Sequence, residues 1–337
     1  MTNQPILQFK ELKVSFQSGK KYAPAVDGIS FELNEGEILG IVGESGSGKS
    51  VTSLTAMGLI PTPPGKIEKG EILFEGKDLT KLSEKEFRKI RGNQISMIFQ
   101  EPMTSLNPLF TIGNQLMEAI ILHTKLSKAD AKARSIELLK LVGIPRAEGI
   151  LQEYPHQLSG GMRQRVMIAM AMACNPKVLI ADEPTTALDV TIQAQILTLM
   201  KDLNQKTNTS IILITHDLGV VAEICDRVIV MYSGQVVEQG DVRTILKDPQ
   251  HPYTKGLLKS VPNLTEKKER LYSIPGSVPA PGTIQKGCRF APRCAEALAI
   301  CHNESPDLHT TNKDGHVARC FLHTVKEGSD QHVGITS

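Results

Sequence analysis

A phosphate-binding loop is the clearest chemical feature of this 337-residue chain. It consists of Gly43-Glu44-Ser45-Gly46-Ser47-Gly48-Lys49-Ser50 and fits the pattern G-x-x-x-x-G-K-[ST] at each fixed position. Its glycines allow the backbone N–H groups to turn towards a phosphate, and the positive end of a following helix adds to this. We expect Lys49 to reach the β- and γ-phosphates and Ser50 to bind magnesium. The alternative is a glycine-rich turn before an ordinary helix.

Two later segments place acidic and basic side chains directly after apolar runs. Val178-Leu179-Ile180-Ala181 is followed by Asp182 and Glu183, and Ile211-Ile212-Leu213-Ile214 is followed by Thr215 and His216. Asp182 suits a second contact to magnesium, and Glu183 suits the polarisation of an attacking water. A single histidine at the end of a strand is often structural, but here the same placement occurs twice, which favours a site.

These residues require a sheet of parallel strands to bring them together. The run 38–42 predicts a buried strand, 51–59 predicts the helix that follows the loop, and the carboxyl edge of such a sheet is where ligands bind. From about 104 to 174 the pattern predicts a helical insert, with helices over 129–141 and 162–173. The segment 100–108 predicts a proline-bounded hinge, and 228–240 a hairpin turning at Ser233 and Gly234. The fold class is therefore α/β.

The octapeptide at 158–165, Leu-Ser-Gly-Gly-Met-Arg-Gln-Arg, narrows the class of nucleotide-binding protein. With the motifs above, in this order, the chain resembles the ATP-binding subunits of ABC transporters over about residues 5–260. The resemblance makes the phosphate-binding loop the Walker A loop, and it assigns Gln100 as a glutamine that contacts magnesium and water and senses the membrane domain. It further assigns the signature motif (Ser159, Gly160, Gly161), the Walker B end (Asp182, Glu183), the D-loop (Asp189) and the switch (His216).

The resemblance also implies that the signature motif completes a site on another molecule. Two such domains dimerise head to tail, and the Ser159 hydroxyl and glycine amides of one close over the γ-phosphate bound by the other. A helix N-terminus provides suitable anion-binding donors. Ser159 followed by two glycines would also cap an apolar helix, and both roles are compatible.

The adenine base is expected to stack on Tyr22, upstream of the first core strand. Phe16 is the alternative, although its place in a Val-Ser-Phe run indicates a strand residue that packs inwards. Arg163 and Arg165 follow the signature motif but are interpreted as solvated or paired residues, outside the site.

Composition limits the partners and the location. The chain has 38 Lys and Arg against 36 Asp and Glu, so no basic excess indicates nucleic acid. No signal peptide is recognisable at the start, and no apolar run approaches the ~20 residues that span a bilayer. We therefore expect a cytoplasmic protein that attaches to the membrane through partners.

The last eighty residues narrow the subfamily. Residues 251–258 (HPYTKGLL), residues 274–279 (IPGSVP) and a cysteine cluster resemble the C-terminal extension of oligopeptide and dipeptide importer ATPases. The cluster is Cys288, Cys294, Cys301 and Cys320. Disulfides do not suit a reducing compartment, and zinc sites usually contain a close C-x2-4-C pair, which is missing from this cluster. The residues alone therefore leave spare thiols or an unidentified metal. The resemblance favours a 4Fe-4S cluster with a structural role.

The resemblance finally implies an assembly and an activity. The partners are a second ATPase subunit, expected to be a paralogue, two transmembrane permease subunits and an extracytoplasmic substrate-binding protein. The activity is ATP hydrolysis with magnesium, coupled to peptide import at the cytoplasmic face of the cell membrane. Import of nickel or another small solute is the alternative. An ABC-type ATPase that acts on DNA or ribosomes is a third reading, disfavoured because only 133 residues separate Lys49 from Asp182, without sustained heptads. The predicted domains are 1–260 and 261–324, with a disordered tail over 325–337.

Overall fold

Two sheets of different kinds build the protein, seen in a computed structural model that describes residues 5–100, 105–186, 188–260, 272–284, 286–311 and 315–324. The smaller sheet is antiparallel and has the strand order β2-β1-β4-β5. Its strands are β1 (Pro5–Ser18), β2 (Lys21–Asn34), β4 (Gly65–Phe74) and β5 (Lys77–Asp78). Phe9 on β1 pairs with Phe31 on β2, and their stacked rings lie 4.3 Å apart. This aromatic pair contributes to the core beneath the sheet.

The larger sheet carries the predicted parallel strands and has the order β11-β12-β10-β9-β3-β8-β7-β6. The neighbours from β9 to β6 pair in parallel, and β10, β11 and β12 pair antiparallel at one side. The strands are β3 (Ile38–Val42), β6 (Ile95–Ile98), β7 (Val178–Asp182), β8 (Ser210–Thr215), β9 (Arg227–Tyr232), β10 (Gln235–Asp241), β11 (His309–Thr310) and β12 (Val317–Ala318). The α/β prediction and the three predicted core strands are confirmed.

The predicted hairpin is β9 and β10, and it turns at Ser233 and Gly234 as expected. Both residues have positive φ, 46° and 83°, which is the conformation of a tight two-residue hairpin turn. The same turn lies against the phosphate-binding loop, because the Gly234 N–H donates a 2.9 Å hydrogen bond to the Ser47 carbonyl.

The helices lie between and beside the strands. Their bounds are α1 (Lys49–Ala56), α2 (Glu84–Ile90), α3 (Ile112–His123), α4 (Lys128–Leu141), α5 (Ala147–Ile150), α6 (Gly160–Ala171), α7 (Val190–Thr207), α8 (Leu218–Ile224), α9 (Val242–Lys247) and α10 (Pro252–Ser260). The segment predicted to be a helical insert contains α3 to α6. Within the described ranges, no helix is long and apolar enough to cross a membrane.

Alternate residues of the central strands face two different cores, which explains their uninterrupted apolar sequences. On β7, Leu179 and Ala181 pack with α3 to α7, whereas Val178 and Ile180 pack against the antiparallel sheet. A third core around Tyr232, Tyr253 and Phe290 joins the end of the large sheet to the C-terminal segment. The predicted tail over 325–337 and part of the predicted hinge, 101–104, lie outside the described residues.

Candidate functional site

The phosphate-binding loop connects β3 to α1, and its glycines are required by close backbone contacts. A Cβ at Gly43 would lie 2.2 Å from the Met231 carbonyl oxygen, and one at Gly48 would lie 2.6 Å from that of Ala25. Gly48 also has a φ of 100° at the start of α1, a conformation that favours glycine. Ser45 and Gly46 are exposed at the tip of the loop, whereas Ser47 is buried. The neighbouring strands therefore hold the loop in one shape.

Lys49 is buried within this loop. Its Nζ donates hydrogen bonds to the carbonyl oxygens of Gly43, at 2.7 Å, and Glu44, at 3.1 Å. Burial lowers the pKa of the Lys49 ammonium, against the opposing charges of Glu183, Asp182 and Glu44. The loop thus places a desolvated cation at the N-terminus of α1, an arrangement that is suited to binding a polyphosphate.

Asp182 ends β7 next to Ser50 and has the properties of a magnesium ligand. Its carboxyl group is buried, and Oδ1 has no hydrogen-bond partner among the described residues. Burial raises the pKa of Asp182, although a hydrogen bond with the Ser50 side chain and the charge of Lys49 oppose this. An unpaired buried carboxylate oxygen beside a hydroxyl is the oxygen-rich donor set that magnesium prefers. Ser50 and Asp182 therefore fit the ion that the sequence predicts there.

Glu183 is held by side chains from three different segments. Gln100 Nε2 donates to its Oε2 at 3.2 Å, and the Thr186 hydroxyl donates to the same oxygen at 2.9 Å. His216 Nδ1 lies 3.5 Å from the other oxygen, Oε1. Glu183 has a φ of 48°, in the left-handed region, and its N–H donates to the Ile214 carbonyl on β8. The three residues predicted for catalysis, Gln100, Glu183 and His216, therefore meet at the Glu183 carboxylate. The backbone of Glu183 has a conformation that is unusual for a non-glycine residue.

The signature residues and Asp189 are placed at two neighbouring helix starts. Ser159 caps α6 by accepting a hydrogen bond from the Met162 N–H, and Asp189 caps α7 by accepting one from the Ile192 N–H. Ser159 and Gly160 are exposed, and a Cβ at Gly160 would meet nothing within 4 Å. In the described part of the chain, these residues make no hydrogen bond to the phosphate-binding loop. Ser159, Gly160 and Asp189 are thus exposed, whereas Gly161 is partly buried beside Ile192, and the head-to-tail dimer remains a prediction.

Tyr22 is more exposed than Phe16, as the sequence predicts. Tyr22 lies on β2 with 47% of its surface exposed, and Lys66 Nζ lies 5.9 Å from its ring centroid. Phe16 on β1 is half-buried and packs against the core beneath the antiparallel sheet. Of the two aromatic rings, Tyr22 is therefore the one available for stacking.

Three residues in contact with the site were not predicted. Thr186 follows Glu183 by three residues, a spacing typical of a side-chain turn, and this signal was available in the sequence. Tyr253 and Arg293 contact Glu44 of the phosphate-binding loop from more than 200 residues away in the chain. No local pattern relates them to the loop, so the sequence alone did not reveal these contacts.

The four predicted cluster cysteines line one small cavity. All are free thiols, and backbone N–H groups near the sulfurs of Cys288, Cys294 and Cys320 act to lower the pKa of these thiols, against the effect of burial. Burial raises the pKa of Cys294 and of Cys320 to about 11. Within the described ranges, no three His, Cys, Asp or Glu side chains are spaced to hold a single metal ion.

Comparisons with known proteins relate the chain to a family. The family model described as ABC transporter matches residues 26–186, and the one described as oligopeptide/dipeptide transporter, C-terminal region, matches residues 237–301. The chain is 58% identical to the oligopeptide transport ATP-binding protein AppD of Bacillus subtilis, over 97% of this chain and 99% of the relative. It is 54% identical to the dipeptide transport ATP-binding protein DppD of Escherichia coli, over 91% of this chain and 94% of the relative.

Solved structures of ABC transporter proteins have a similar fold. The ATP-binding cassette MJ0796, in a dimeric post-hydrolysis state bound to ADP and Pi, superposes with a TM-score of 0.63 at 30% identity, over 70% of this chain and 99% of that chain. The cbiO1 protein of Clostridium perfringens, part of the ABC transporter complex cbiONQ, superposes with a TM-score of 0.62 at 30% identity, over 72% of this chain and 91% of that chain.

Proposed function

The chain belongs to the ATP-binding subunits of ABC transporters, in the oligopeptide and dipeptide transporter family, and from this premise we propose that it hydrolyses ATP to drive peptide import across the cell membrane. The observation that carries the hydrolytic part is the convergence of Gln100 and His216 on the Glu183 carboxylate. A carboxylate fixed from both sides at a sheet edge, beside a phosphate-binding loop, is suited to orient one water molecule for attack on a γ-phosphate.

The other residues of the site take complementary roles in this proposal. The amides of the phosphate-binding loop and the Lys49 ammonium bind the β- and γ-phosphates of ATP, and the exposed Tyr22 ring stacks on the adenine. Ser50 and Asp182, with Gln100, hold magnesium, whose charge when bound offsets that of the phosphates. Glu183 accepts the proton of the attacking water, and His216 contacts the γ-phosphate from the opposite side of that carboxylate.

The second half of the site comes from another subunit in this proposal. The exposed Ser159 hydroxyl and the amides of Gly160 and Gly161 close over a γ-phosphate held by the partner ATPase, expected to be a paralogue, and Asp189 lies at the same face. ATP binding would then join the two subunits and hydrolysis would separate them. The resulting motion acts on two permease subunits at the cytoplasmic face of the membrane, which receive the cargo from an extracytoplasmic binding protein.

Peptide cargo rests on the relatives rather than on any residue of this site. The AppD and DppD proteins are described as oligopeptide and dipeptide transport proteins, and their similarity extends over the C-terminal segment as well as the ATPase core. Uptake of di-, tri- and longer peptides in a strain that lacks this subunit tests the proposal. We expect peptide uptake to fall and to return when the gene is restored. Normal peptide uptake with lost nickel uptake would contradict it.

We also propose the domain division 1–260 and 261–324, with a 4Fe-4S cluster in the second part. The four cysteines share one cavity, and backbone N–H groups lie near three of the sulfurs, as is usual around iron-sulfur clusters. Cys301 and Cys320 are buried and Cys288 and Cys294 are partly buried, so all four thiols are at least partly shielded from solvent. Iron would bind the four sulfurs as thiolates, so binding would release their protons.

Iron and sulfide analysis with a visible spectrum, after anaerobic purification, tests the cluster. We expect about four irons per chain, and their loss in Cys301→Ser. Cys174→Ser is the matched control, because Cys174 is a partly buried thiol outside the cavity, and it should keep the iron. Zinc at unit stoichiometry would contradict the proposal.

A further inference from the structure

A two-point ion pair joins the cysteine-bearing segment to the phosphate-binding loop. Arg293 Nη1 lies 2.6 Å from Glu44 Oε2, and Nη2 lies 3.1 Å from Glu44 Oε1. Glu44 is the second residue of the loop, so this pair connects residues that are 249 positions apart in the chain. Parallel paired hydrogen bonds between a guanidinium and a carboxylate fix both the distance and the orientation of the two groups.

Arg293 is buried and all of its donors are engaged. Only 5% of its side chain is exposed. Besides Glu44, its N–H groups donate to the carbonyl oxygens of Ile274 and Pro275 and to the Tyr232 hydroxyl. Five N–H groups therefore meet five acceptors, which leaves the guanidinium little freedom to move.

The position of Arg293 depends on the cysteine segment. It ends a short 3₁₀ turn, Ala291–Arg293, and Cys294 follows it directly. The segment makes a second contact through Arg289, beside Cys288. Arg289 pairs with Asp27 and donates to the Ser233 carbonyl in the β9–β10 turn. Because the adjacent Gly234 N–H donates to Ser47, both arginines support the phosphate-binding loop, one directly and one through this turn.

Tyr253 on α10 contacts the same residue of the loop, Glu44. Its hydroxyl accepts a 2.8 Å hydrogen bond from the Glu44 N–H, and its ring is fully buried. The ring packs against Tyr232, with centroids 4.7 Å apart, and against Phe290, at 5.4 Å. The backbone and the carboxylate of Glu44 are thus both fixed by residues that follow position 250.

We propose that Arg293 is a positioning residue for nucleotide binding, which neutralises and orients Glu44 so that the phosphate-binding loop accepts a polyanion. The inference rests on the proposed binding of ATP by this loop. A free carboxylate at this position would repel the triphosphate, and Lys49 alone would have to offset both. Arg293 removes this repulsion, and the segment that carries Cys288 and Cys294 holds Arg293 in place. The order of the cysteine segment therefore sets the nucleotide affinity of the loop.

Titration of the purified full-length chain with a fluorescent ATP analogue and magnesium tests this. We expect Arg293→Gln to weaken binding about tenfold, because it leaves the Glu44 charge beside the phosphates. Adding Glu44→Gln to Arg293→Gln should recover most of that loss, since the carboxylate is then gone. A purely structural role for Arg293 predicts no such recovery.

Arg319→Gln is the matched control. Arg319 is a partly buried arginine of the same segment that donates to the carbonyl oxygens of Val236 and Pro306, away from the loop. The Arg319→Gln variant should bind the analogue with the same affinity as the original chain.

Three results would overturn the proposal: unchanged affinity in Arg293→Gln, a double variant as weak as Arg293→Gln alone, or an equal loss in Arg319→Gln. If Arg293→Gln does not fold, Arg293→Met replaces it, because methionine is also uncharged and unbranched, and the same rescue by Glu44→Gln is expected. The analogue reports on the loop without any transport. A chain that binds ATP in this pattern yet imports no peptide would refute the proposed cargo and leave this inference intact.

Discussion

Gln100 and Glu183 are joined by a 3.2 Å hydrogen bond from Gln100 Nε2 to Glu183 Oε2. Gln100 follows β6 by two residues and Glu183 follows β7 directly, so the bond connects the carboxyl ends of two neighbouring parallel strands. Thr186 donates to the same oxygen, whereas His216 lies beside the other one. The two oxygens of Glu183 are therefore in different surroundings. A substitution of Gln100 should therefore alter the surroundings of the Glu183 carboxylate, which we propose as the general base.

Replacement of Glu183 by glutamine should separate binding from turnover. The amide keeps the size of the side chain but cannot accept the proton of the attacking water, so we expect kcat for ATP hydrolysis to fall at least about 100-fold, while ATP still binds. Single-turnover hydrolysis and analogue titration measure the two properties. Glu71→Gln is the control, because Glu71 is a surface residue paired with Lys10. Unchanged hydrolysis in Glu183→Gln would remove Glu183 from this role.

The site could be predicted from the sequence where one short segment carries both the element and the side chain. The loop from Gly43 to Ser50 and the acidic end of β7 are of this kind, because an apolar strand must end before its polar residues reach the sheet edge. The cap at Ser159 is local as well. These predictions needed only periodicity and residue type. Asp189 also caps a helix, but only the family resemblance singled it out in the sequence.

The contacts of Glu44 could not be predicted in this way. Arg293 and Tyr253 reach Glu44 only because β9, β10 and the C-terminal segment pack beside β3, and this packing depends on the third core around Tyr232. The HPY sequence at 251–253 marks the subfamily, and in the structure its His and Tyr side chains make tertiary contacts. The His251 ring accepts the Tyr253 N–H, and the Tyr253 hydroxyl supports the loop.

Asp182→Asn should stabilise the chain without nucleotide while weakening magnesium-dependent ATP binding. Burial raises the pKa of Asp182, so above that pKa the folded chain holds a carboxylate that costs free energy. Asparagine removes this cost, and we expect the melting temperature to rise at neutral pH. The gain should shrink as the pH falls through the folded-state pKa, because Asp182 itself then becomes protonated. Differential scanning calorimetry across pH measures the first effect and analogue titration with and without magnesium the second. A lower melting temperature at neutral pH would contradict the prediction.

Tyr22→Ala should weaken ATP binding if the ring stacks on adenine. Stacking of one base on an aromatic side chain contributes about 1–3 kcal/mol, so we expect at least about a fivefold rise in Kd, and Tyr22→Phe should bind normally. Tyr272 provides a matched control: it is 46% exposed against 47% for Tyr22, and Lys259 Nζ lies 6.0 Å from its ring, as Lys66 does at 5.9 Å from Tyr22. If Tyr272→Ala and Tyr22→Ala have the same effect on Kd, the stacking role is wrong.

His251 should make the folded chain sensitive to acid. Burial lowers its pKa to about 3, and the charges of His323, Lys255 and Arg319 act in the same direction. The ring is therefore neutral when folded, but in the unfolded chain it takes up a proton below about pH 6.5. Its contribution to the free energy of unfolding is complete above that pH and falls by about 1.4 kcal/mol per pH unit below it.

The variant His251→Asn tests this, because asparagine keeps an acceptor for the Tyr253 N–H but cannot titrate. Urea unfolding between about pH 7.5 and about pH 5 should show the stability difference between the original chain and His251→Asn shrinking with acid. His302→Asn, at an exposed residue, should show no such trend. A difference that stays constant over this range would mean that His251 is not held neutral by the fold.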